Sequence, residues 1–457
     1  MKYILSATAL LAATVAADKR DLCADGSTDD NNNWYCQAVK AITYTGVGGT
    51  GSYNRITSMD PTNGQCQSAP QSYSGNLSPL DEEVSMHFRG PIQINQFAVY
   101  TPFSSSKPKR HSPAQRHPHA HAHARRHQAR EANAAVGDMV TATINGIVQT
   151  WVNEWSGQST SAPPVPAAAS SAPAADIASD MQAAASSASS SSSAPSSSPS
   201  SLSSPSGSIA SSSGGWSRQA YYNASTQTSE GLVFLNHNGG SGSGTFDYHF
   251  GNSLSYASAD GKGGSSTNQT LAATTLPSSA EVVIMSNQEC GESDCGYSRS
   301  QTVAYHGFGG PSKAFFFEFQ MPYTGESASN IYDPVDMPAV WMLNAQIPRT
   351  LQYGQATCSC WTSGCGEFDI FEVLAPGDKR MKSTLHGNVA GGDSDYFDRP
   401  AEKPMKAAMV LYNNNIHIKL LSDDTDFGEA MDADVINDIC GSTLQQTKTV
   451  SLFKLGS

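Results

Sequence analysis

After its first twenty residues, the 457-residue chain lacks any apolar stretch long enough to cross a membrane, and it carries little positive charge. From residue 214 to the C-terminus there are 14 Lys and Arg against 26 Asp and Glu, a local net charge of −12. This balance argues against nucleic acids and anionic membranes as partners and is compatible with a neutral polymer. The final residues, SLFKLGS, also lack the apolar tail that a glycosylphosphatidylinositol anchor requires. We therefore expect neither a membrane nor a nucleic-acid partner.

The first twenty residues, MKYILSATALLAATVAADKR, have the layout of a secretory signal peptide. A basic Lys2 precedes a short apolar core, and small residues follow at the predicted cleavage site. Lys19 and Arg20 then form a dibasic processing site, so we expect residues 1–20 to be a signal peptide and a short propeptide. The protein is predicted to be secreted, and either soluble or held by a cell wall. Three glycosylation sequons suit a secreted glycoprotein: Asn76, Asn223 and Asn268.

Nine cysteines also fit an oxidising compartment, in which disulfides persist. Three lie near the N-terminus (Cys23, Cys36 and Cys66) and six in the C-terminal half (Cys290, Cys295, Cys358, Cys360, Cys365 and Cys440). The six can pair among themselves, whereas one of the three must be free, form an intermolecular bond or bridge two domains. The spacing of Cys358 and Cys360 resembles a pair of metal ligands, but an extracellular disulfide cluster is the better interpretation.

A serine-rich stretch divides the chain. Of the 28 residues from 186 to 213, 19 are serine, which cannot bury enough apolar surface to offset the conformational entropy of ordering. We therefore predict a disordered linker over residues 155–213. Before it, residues 21–154 alternate apolar and polar side chains around Gly and Pro turns, which predicts a smaller Cys- and Gly-rich β domain. After it, short alternating runs such as GLVFLN, EVVIMS and HIKLL predict an all-β sandwich over residues 214–457.

The N-terminal region contains a basic, histidine-rich tract. Residues 107–130 hold seven Lys and Arg, six of the twelve histidines and no acid. His119, His121 and His123 could ligate zinc or copper. However, their alternation with alanine supplies no scaffold for a metal ion, so we interpret residues 104–132 as a disordered loop. We predict no bound metal and no cofactor.

The segment CGEFDIFEVL, residues 365–374, places three acids in an otherwise apolar run. On a regular strand Glu367 and Asp369 share one face, whereas Glu372 is one residue out of phase. A β-bulge at Ile370 and Phe371 would return Glu372 to the face of the other two acids. Converging carboxylates drive their pKa values apart, which assigns a proton donor and an ionised partner. Two carboxyl groups about 5–5.5 Å apart suit glycoside hydrolysis with retention of configuration.

GEFDIFEVL resembles the E-x-D-x-x-E signature of the bulge-type members of glycoside hydrolase family sixteen, which are retaining β-glucan-active enzymes with a β-jelly-roll fold. The segments VAYHGFGG, FFFEFQMP and MPAVWMLN resemble the regions upstream of that signature in the same order, with Met337 in place of a family tryptophan. More narrowly, the N-terminal region, the Ser-rich linker and CSCWTSGCGEFDIFEVL are similar to a fungal cell-wall family that includes the yeast Tos-type proteins. That family is described as endo-1,3-β-glucanases.

This resemblance implies a β-jelly-roll domain with a catalytic trio. Glu367 would be the nucleophile, Asp369 would orient and tune it, and Glu372 would be the general acid/base. The implied protein is a secreted, monomeric wall enzyme that cleaves β-1,3-glucan with retention and needs no cofactor. A transglycosylase of the same fold and a non-catalytic glucan-binding wall glycoprotein are the alternatives.

Three further residues are candidate substrate contacts. Trp341 and Trp361 could stack on sugar rings, because the apolar faces of glucose pack on aromatic side chains. His386, in the STLHG segment, could hydrogen-bond a sugar hydroxyl or one of the acids. The alternatives are a core tryptophan at position 341 and a strand histidine without a substrate contact at position 386.

Overall fold

The computed structural model describes residues 28–30, 33–103, 139–144, 147–152, 215–239, 241–291, 294–329 and 334–455. All of these except Val152 belong to one compact unit. The predicted signal peptide (1–20), histidine-rich loop (104–132) and linker (155–213) lie outside the described residues, so the predictions made for them stay predictions.

The described residues form many short strands, two α-helices and two short 3₁₀ turns, Ala356–Cys358 and Trp361–Ser363. Before the linker the strands are β1 (Thr28–Asp30), β2 (Asn33–Tyr35), β3 (Ala41–Thr45), β4 (Gly48–Met59), β5 (Cys66–Asn76), β6 (Val84–Arg89), β7 (Ile92–Pro102), β8 (Met139–Ile144) and β9 (Ile147–Val152). After it come β10 (Trp216–Asn223), β11 (Thr228–Glu230), β12 (Leu232–Asn236), β13 (Phe246–Asp247), β14 (Gly251–Asn252), β15 (Ser255–Ala257), β16 (Gly264–Ser265), β17 (Thr275–Leu276), β18 (Glu281–Ser286), β19 (Lys313–Gln320) and β20 (Ala339–Asn344). The chain ends with β21 (Glu367–Glu372), β22 (Arg380–His386), β23 (Gly391–Gly392), β24 (Phe397–Asp398), β25 (Met405–Tyr412), β26 (Asn415–Leu420), β27 (Ala430–Met431) and β28 (Val450–Lys454). The helices are α1 (Gln346–Thr350) and α2 (Ala433–Ser442), and within the described ranges neither is long and apolar enough to span a bilayer.

Two large sheets contain most of these strands. Sheet I has the order β11-β10-β7-β19-β25-β26-β3-β28, with β17 also paired to β7 and β27 to β10. Sheet II has the order β16-β15-β12-β18-β6-β20-β21-β22-β23, with β24 paired to β22. Neighbouring strands are antiparallel except β3 and β28, which are parallel. The predicted all-β sandwich is confirmed.

The main hydrophobic core lies between the two sheets. Phe88 of sheet II and Phe97 of sheet I meet edge to face with ring centroids 6.0 Å apart, and both rings are fully buried. Phe317 of sheet I lies 5.7 Å from Phe97 and 6.5 Å from Phe371 of β21. Burial of each such side chain contributes about 1.5–3 kcal/mol. The strand that carries the acids is therefore anchored to the opposite sheet by aromatic contacts.

The prediction of a separate N-terminal domain over residues 21–154 is wrong for the strands described. Strand β6 lies between β18 and β20 in sheet II, and β7 lies between β10 and β19 in sheet I. Phe97 of β7 pairs with Tyr222 on one side and with Phe317 on the other. The strands that flank β6 and β7 in these sheets all come from beyond the linker. The segments on the two sides of the linker therefore build a single sandwich.

The disulfides also join the two segments. Cys66 is bonded to Cys358 across a sequence separation of 292, which is the cross-domain alternative among those the sequence left open. The other described bonds are Cys290–Cys295 and Cys360–Cys365, and Cys36 is disulfide-bonded as well. The expectation that the six C-terminal cysteines pair among themselves is wrong, because Cys358 is taken by Cys66 and Cys440 is buried and free.

Strands β4 and β5 pair with each other and form an arm outside the two large sheets. The backbone N–H of Asn54 donates to Ser363 Oγ at 2.8 Å, and Asn388 Nδ2 donates to Tyr73 Oη at 2.8 Å. Ser363 precedes β21 and Asn388 follows β22, so the arm is fastened to the loops at one end of these neighbouring strands.

Replacing Cys66 and Cys358 together by serine should lower the free energy of unfolding by about 2–4 kcal/mol, because the bond restricts the unfolded chain over a long loop. Urea unfolding followed by tryptophan fluorescence measures the change. The control is the pair Cys290→Ser and Cys295→Ser, whose bond spans a separation of 5 and should cost less. A larger loss in the control would contradict the prediction.

Candidate active site

Strand β21 contains a β-bulge between its acids. On the neighbouring strand β20, Val340 pairs with Phe371 and Trp341 pairs with Asp369, which leaves Ile370 without a partner. Ile370 and Phe371 are both fully buried members of the main core, although consecutive residues on a regular strand face opposite sides. The bulge predicted from the sequence is confirmed.

The bulge places the three acids on the face of sheet II that points away from the main core. On the neighbouring strand β22, His386 pairs with Glu367, Thr384 with Asp369 and Lys382 with Glu372. Paired residues on antiparallel strands project to the same side of a sheet. The residues between the acids point the other way, into the core. The three carboxylates therefore share one surface.

Glu367 is hydrogen-bonded to Trp361. The indole Nε1–H of Trp361 donates to Glu367 Oε2, and the indole is 46% exposed. Trp361 lies in a short 3₁₀ turn directly before β21, and the Cys360–Cys365 disulfide closes this turn. Donation of an N–H group favours the ionised form of a carboxyl. The structure therefore brings Trp361, a predicted substrate contact, directly to the first acid.

Asp369 forms an ion pair with His386, another predicted substrate contact. His386 Nε2 lies 2.9 Å from Asp369 Oδ2. Burial would lower the pKa of His386, but the hydrogen bond to Asp369 and the negative charges of the three acids outweigh it and raise the pKa to about 9. At neutral pH the imidazole is therefore a cation at the centre of the acidic cluster.

Glu372 lies beside Arg89, a residue that the sequence analysis missed. Arg89 Nη2 is 3.5 Å from Glu372 Oε1, and both side chains are about one quarter exposed, at 25% and 24%. The Arg89 Nε–H donates to the carbonyl of Met337 at 2.9 Å, which fixes the direction of the guanidinium group. Arg89 belongs to β6, before the linker, and no sequence pattern shows that β6 lies two strands from β21.

The pKa values of Glu367 and Glu372 are both raised. Burial is the largest cause for each residue, and the negative charge of Asp369 is the second. The cations His386 and Arg89 lower them in part. The pair therefore retains a proton at a pH at which an ordinary glutamate has lost it, so the acidic surface can hold a proton donor near neutral pH.

Trp341 lies beneath this surface. It is 5% exposed, and its ring is stacked on His87 with centroids 5.1 Å apart. The Arg89 guanidinium carbon lies 5.7 Å from the centre of the ring. Because these neighbours cover it, the alternative of a packed tryptophan describes Trp341, and we do not propose that it stacks on a sugar.

A fourth carboxylate, Glu281 of β18, lies further along the same face. Glu281 accepts hydrogen bonds from Gln352 Nε2 at 2.7 Å and from Tyr353 Oη at 2.6 Å, and it contacts His87 Nδ1 at 2.9 Å. Burial would raise its pKa, but the hydrogen bond and charge of His87, aided by His237 and Tyr353, lower the pKa to about 2. Glu281 is therefore ionised and cannot serve as a proton donor.

Ser85, His87 and Glu281 form a chain that resembles a nucleophilic triad, since Ser85 Oγ lies 2.8 Å from His87 Nε2. However, Ser85 and His87 are both fully buried, so no substrate carbonyl could reach the hydroxyl. The chain is a structural network that holds Glu281 in place.

Among the described residues, one group of three side chains is close enough together to bind a metal ion: Cys290, Cys295 and His306. The two cysteines form a disulfide and therefore provide no thiolate ligands. The same holds for Cys358 and Cys360, which are both in disulfides. His119, His121 and His123 lie outside the described residues.

Comparison with known proteins identifies the family. Residues 40–102 match the N-terminal family and residues 214–439 the C-terminal family of "Cell wall protein YJL171C/Tos1". The chain is 44% identical to the "Probable circularly permuted 1,3-beta-glucanase TOS1" of Candida albicans, over 95% of this chain and 96% of the relative. This chain belongs to the Tos1 family of fungal cell-wall proteins.

Two other relatives cover this Tos1-family chain almost as fully. The "Probable circularly permuted 1,3-beta-glucanase" of Arthroderma benhamiae is 41% identical, over 97% of this chain and 98% of its own length. The Saccharomyces cerevisiae protein with the same name as the Candida relative is 40% identical, over 90% and 92%. No solved structure matches the chain.

Replacing Asp369 by Asn should lower the pKa of His386 from about 9 towards the ordinary value of about 6.5, because the ion pair is lost. A titration of the imidazole protons by NMR measures the shift. Asp423→Asn, which neutralises an exposed acid paired with Lys403, is the control and should leave His386 unchanged. An unaltered His386 titration in the Asp369 variant would refute the assignment of the ion pair.

Proposed function

We propose that this chain is a secreted cell-wall glycoside hydrolase that cleaves β-1,3-glucan with retention of configuration. The observation that carries the proposal is the bulged strand β21, which presents three carboxylates on one face. The raised pKa of both glutamates supports acid/base chemistry at neutral pH. The names of the relatives, which describe circularly permuted 1,3-beta-glucanases, support the choice of substrate.

In the proposed reaction Glu372 donates its proton to the glycosidic oxygen while the ionised Glu367 attacks the anomeric carbon. The bond between that carbon and the glycosidic oxygen breaks, and the released sugar leaves with the proton. A covalent glycosyl ester of Glu367 remains. Glu372, now ionised, removes a proton from water, whose oxygen attacks the same carbon and regenerates both carboxyl groups.

The neighbouring side chains suit these roles. The Trp361 N–H favours the ionised form of Glu367, which is the form that attacks. The ion pair of Asp369 with His386 places a cation beside the acids and limits their mutual repulsion. Arg89 favours the ionised form of Glu372, which is the form that activates water in the second step.

Two of the predicted substrate contacts remain proposals. Trp361 is about half exposed beside Glu367, so its ring is open to a sugar face. The His386 side chain is 41% exposed, and its ring has a second nitrogen besides the Nε2 that contacts Asp369. We propose both as contacts to the glucosyl residues that flank the cleaved bond.

Replacing Glu367 by Gln should reduce the release of reducing ends from β-1,3-glucan by at least about 10³-fold, because the nucleophile is lost. Glu372→Gln should reduce it by about 10²–10⁴-fold through loss of the proton donor. A reducing-sugar assay on purified protein measures both. The control is Glu402→Gln, which removes an exposed carboxyl outside β21 and should retain full activity.

The stereochemistry tests the same mechanism. The first product of the native protein should carry the β configuration at its new reducing end, as read by proton NMR before mutarotation. An α product, or full activity in the Glu367 variant, would contradict the assignment. Products longer than the starting oligosaccharide would favour a transglycosylase, and binding without cleavage would favour a glucan-binding wall protein.

Replacing Arg89 by Met should shift the alkaline limb of the pH–activity profile to higher pH. The guanidinium group stabilises the ionised form of Glu372, so its removal raises the pKa of Glu372 and extends the range in which the proton donor is loaded. The logarithm of kcat/KM against pH measures the shift. Lys403→Met, which removes an exposed cation paired with Asp423, should leave the profile unchanged. A shift to lower pH would refute the role.

A further inference from the structure

A second exposed tryptophan lies on the acid-bearing side of sheet II. Trp34 of β2 is 53% exposed, and its carbonyl accepts a hydrogen bond from Lys382 Nζ at 2.8 Å. Lys382 is the residue of β22 that pairs with Glu372. Trp34 is therefore bound to the side chain of a residue that directly neighbours the proposed proton donor.

The segment that carries Trp34 is firmly held. The next residue, Tyr35, is 3% exposed, and the guanidinium carbon of Arg380 lies 3.6 Å above its ring. Arg380 also forms an ion pair with Asp30 of β1 at 2.6 Å. The backbone N–H of Cys36 donates to the carbonyl of Ser394 at 2.9 Å. An exposed indole on a backbone fixed in this way presents an apolar surface with little conformational freedom left to lose on binding.

Trp34 and Trp361 stand at the two ends of one stretch of β22. Trp361 lies beside His386, with ring centroids 6.3 Å apart, whereas Trp34 is bound to Lys382. Since each residue of a strand advances by about 3.4 Å, the four steps from 382 to 386 span about 13 Å. The Trp34 carbonyl and the Trp361 ring therefore contact β22 at positions about 13 Å apart.

The surface of β22 and β23 beside the two tryptophans carries small and polar residues. Thr384 is partly exposed and lies midway, pairing with Asp369 on one side and with Gly392 of the edge strand β23 on the other. A Cβ atom at Gly392 would approach Thr384 Oγ1 to 2.9 Å. Because that position carries no side chain, the surface stays open from the acids to the edge of the sheet.

We propose that β22 and β23 form the floor of a sugar-binding groove in which Trp34 is an aromatic platform for a glucosyl residue one or two units from the cleaved bond. This inference rests on the proposed function, since the same glucan chain would occupy the acids and the groove. The ligand is a neutral β-linked glucan, whose apolar C–H faces pack on an indole and whose hydroxyl groups meet Thr384 and His386.

The test uses the full chain with Glu367→Gln, which binds substrate without turning it over. Isothermal titration with β-1,3-gluco-oligosaccharides of increasing length measures Kd with and without Trp34→Ala. The loss of the platform should weaken binding about tenfold for the longer oligosaccharides and leave the shortest ones unaffected. Trp34→Phe, which keeps an aromatic face, should restore most of the affinity. Restored binding would also show that the paired strands β1 and β2 still fold when Trp34 is replaced.

Phe103→Ala is the matched control, since Phe103 is exposed to nearly the same extent, 51%, but directly follows β7 of the other sheet. Its Kd values should equal those of the parent. Unchanged binding by the Trp34→Ala variant at every oligosaccharide length would contradict the proposed groove. Equal weakening by the Phe103→Ala control would contradict it as well. Release of reducing ends by the native protein reports separately on the proposed hydrolysis, so cleavage with unchanged Trp34→Ala binding would reject the groove alone.

Discussion

The extra residue in β21 is the constraint on which the rest of the site depends. Without it, strict alternation would turn Glu372 into the core of the sandwich, where an unpaired carboxylate costs several kcal/mol. With it, Ile370 and Phe371 both fill the core and Glu372 reaches the surface that holds Glu367 and Asp369. The same irregularity thus improves the packing between the sheets and assembles the carboxylates.

The site is built from both sides of the linker, and neither segment contains all of it. The acids and His386 follow the linker, whereas Arg89 and Trp34 precede it. Strands β6 and β7 occupy central positions in the two sheets, so the post-linker segment alone would leave a gap in each. The Cys66–Cys358 bond connects the segments covalently at the loops beside β21. The sandwich and the candidate site therefore both require the two segments together.

The sequence predicts the local features of this site well. The alternation of Glu367 and Asp369 and the one-residue offset of Glu372 are local patterns, and they predict both the strand and its bulge. The partner of Glu372, Arg89, cannot be predicted in this way, because the pairing of β6 with β20 depends on the packing of distant segments. For the same reason the sequence suggests a separate N-terminal domain and misses Arg89. Trp341 shows the limit in another form, since a tryptophan near an acid motif can be exposed or buried, and neighbours from distant segments such as His87 and Arg89 decide which.

Protonation of the site is set by the neighbours of each acid more than by the acids themselves. Glu281 is buried on the same face of the sheet, yet His87, Tyr353 and other donors hold its pKa at about 2. Glu367 and Glu372 are also poorly solvated but have fewer compensating donors, and the adjacent charge of Asp369 adds to the effect of burial. A proton taken up by this surface is therefore directed to the two glutamates and away from Glu281. The hydrogen-bond donors on β6, on β22 and in the segment after α1 thus separate the structural carboxylate Glu281 from the two glutamates proposed for acid/base chemistry.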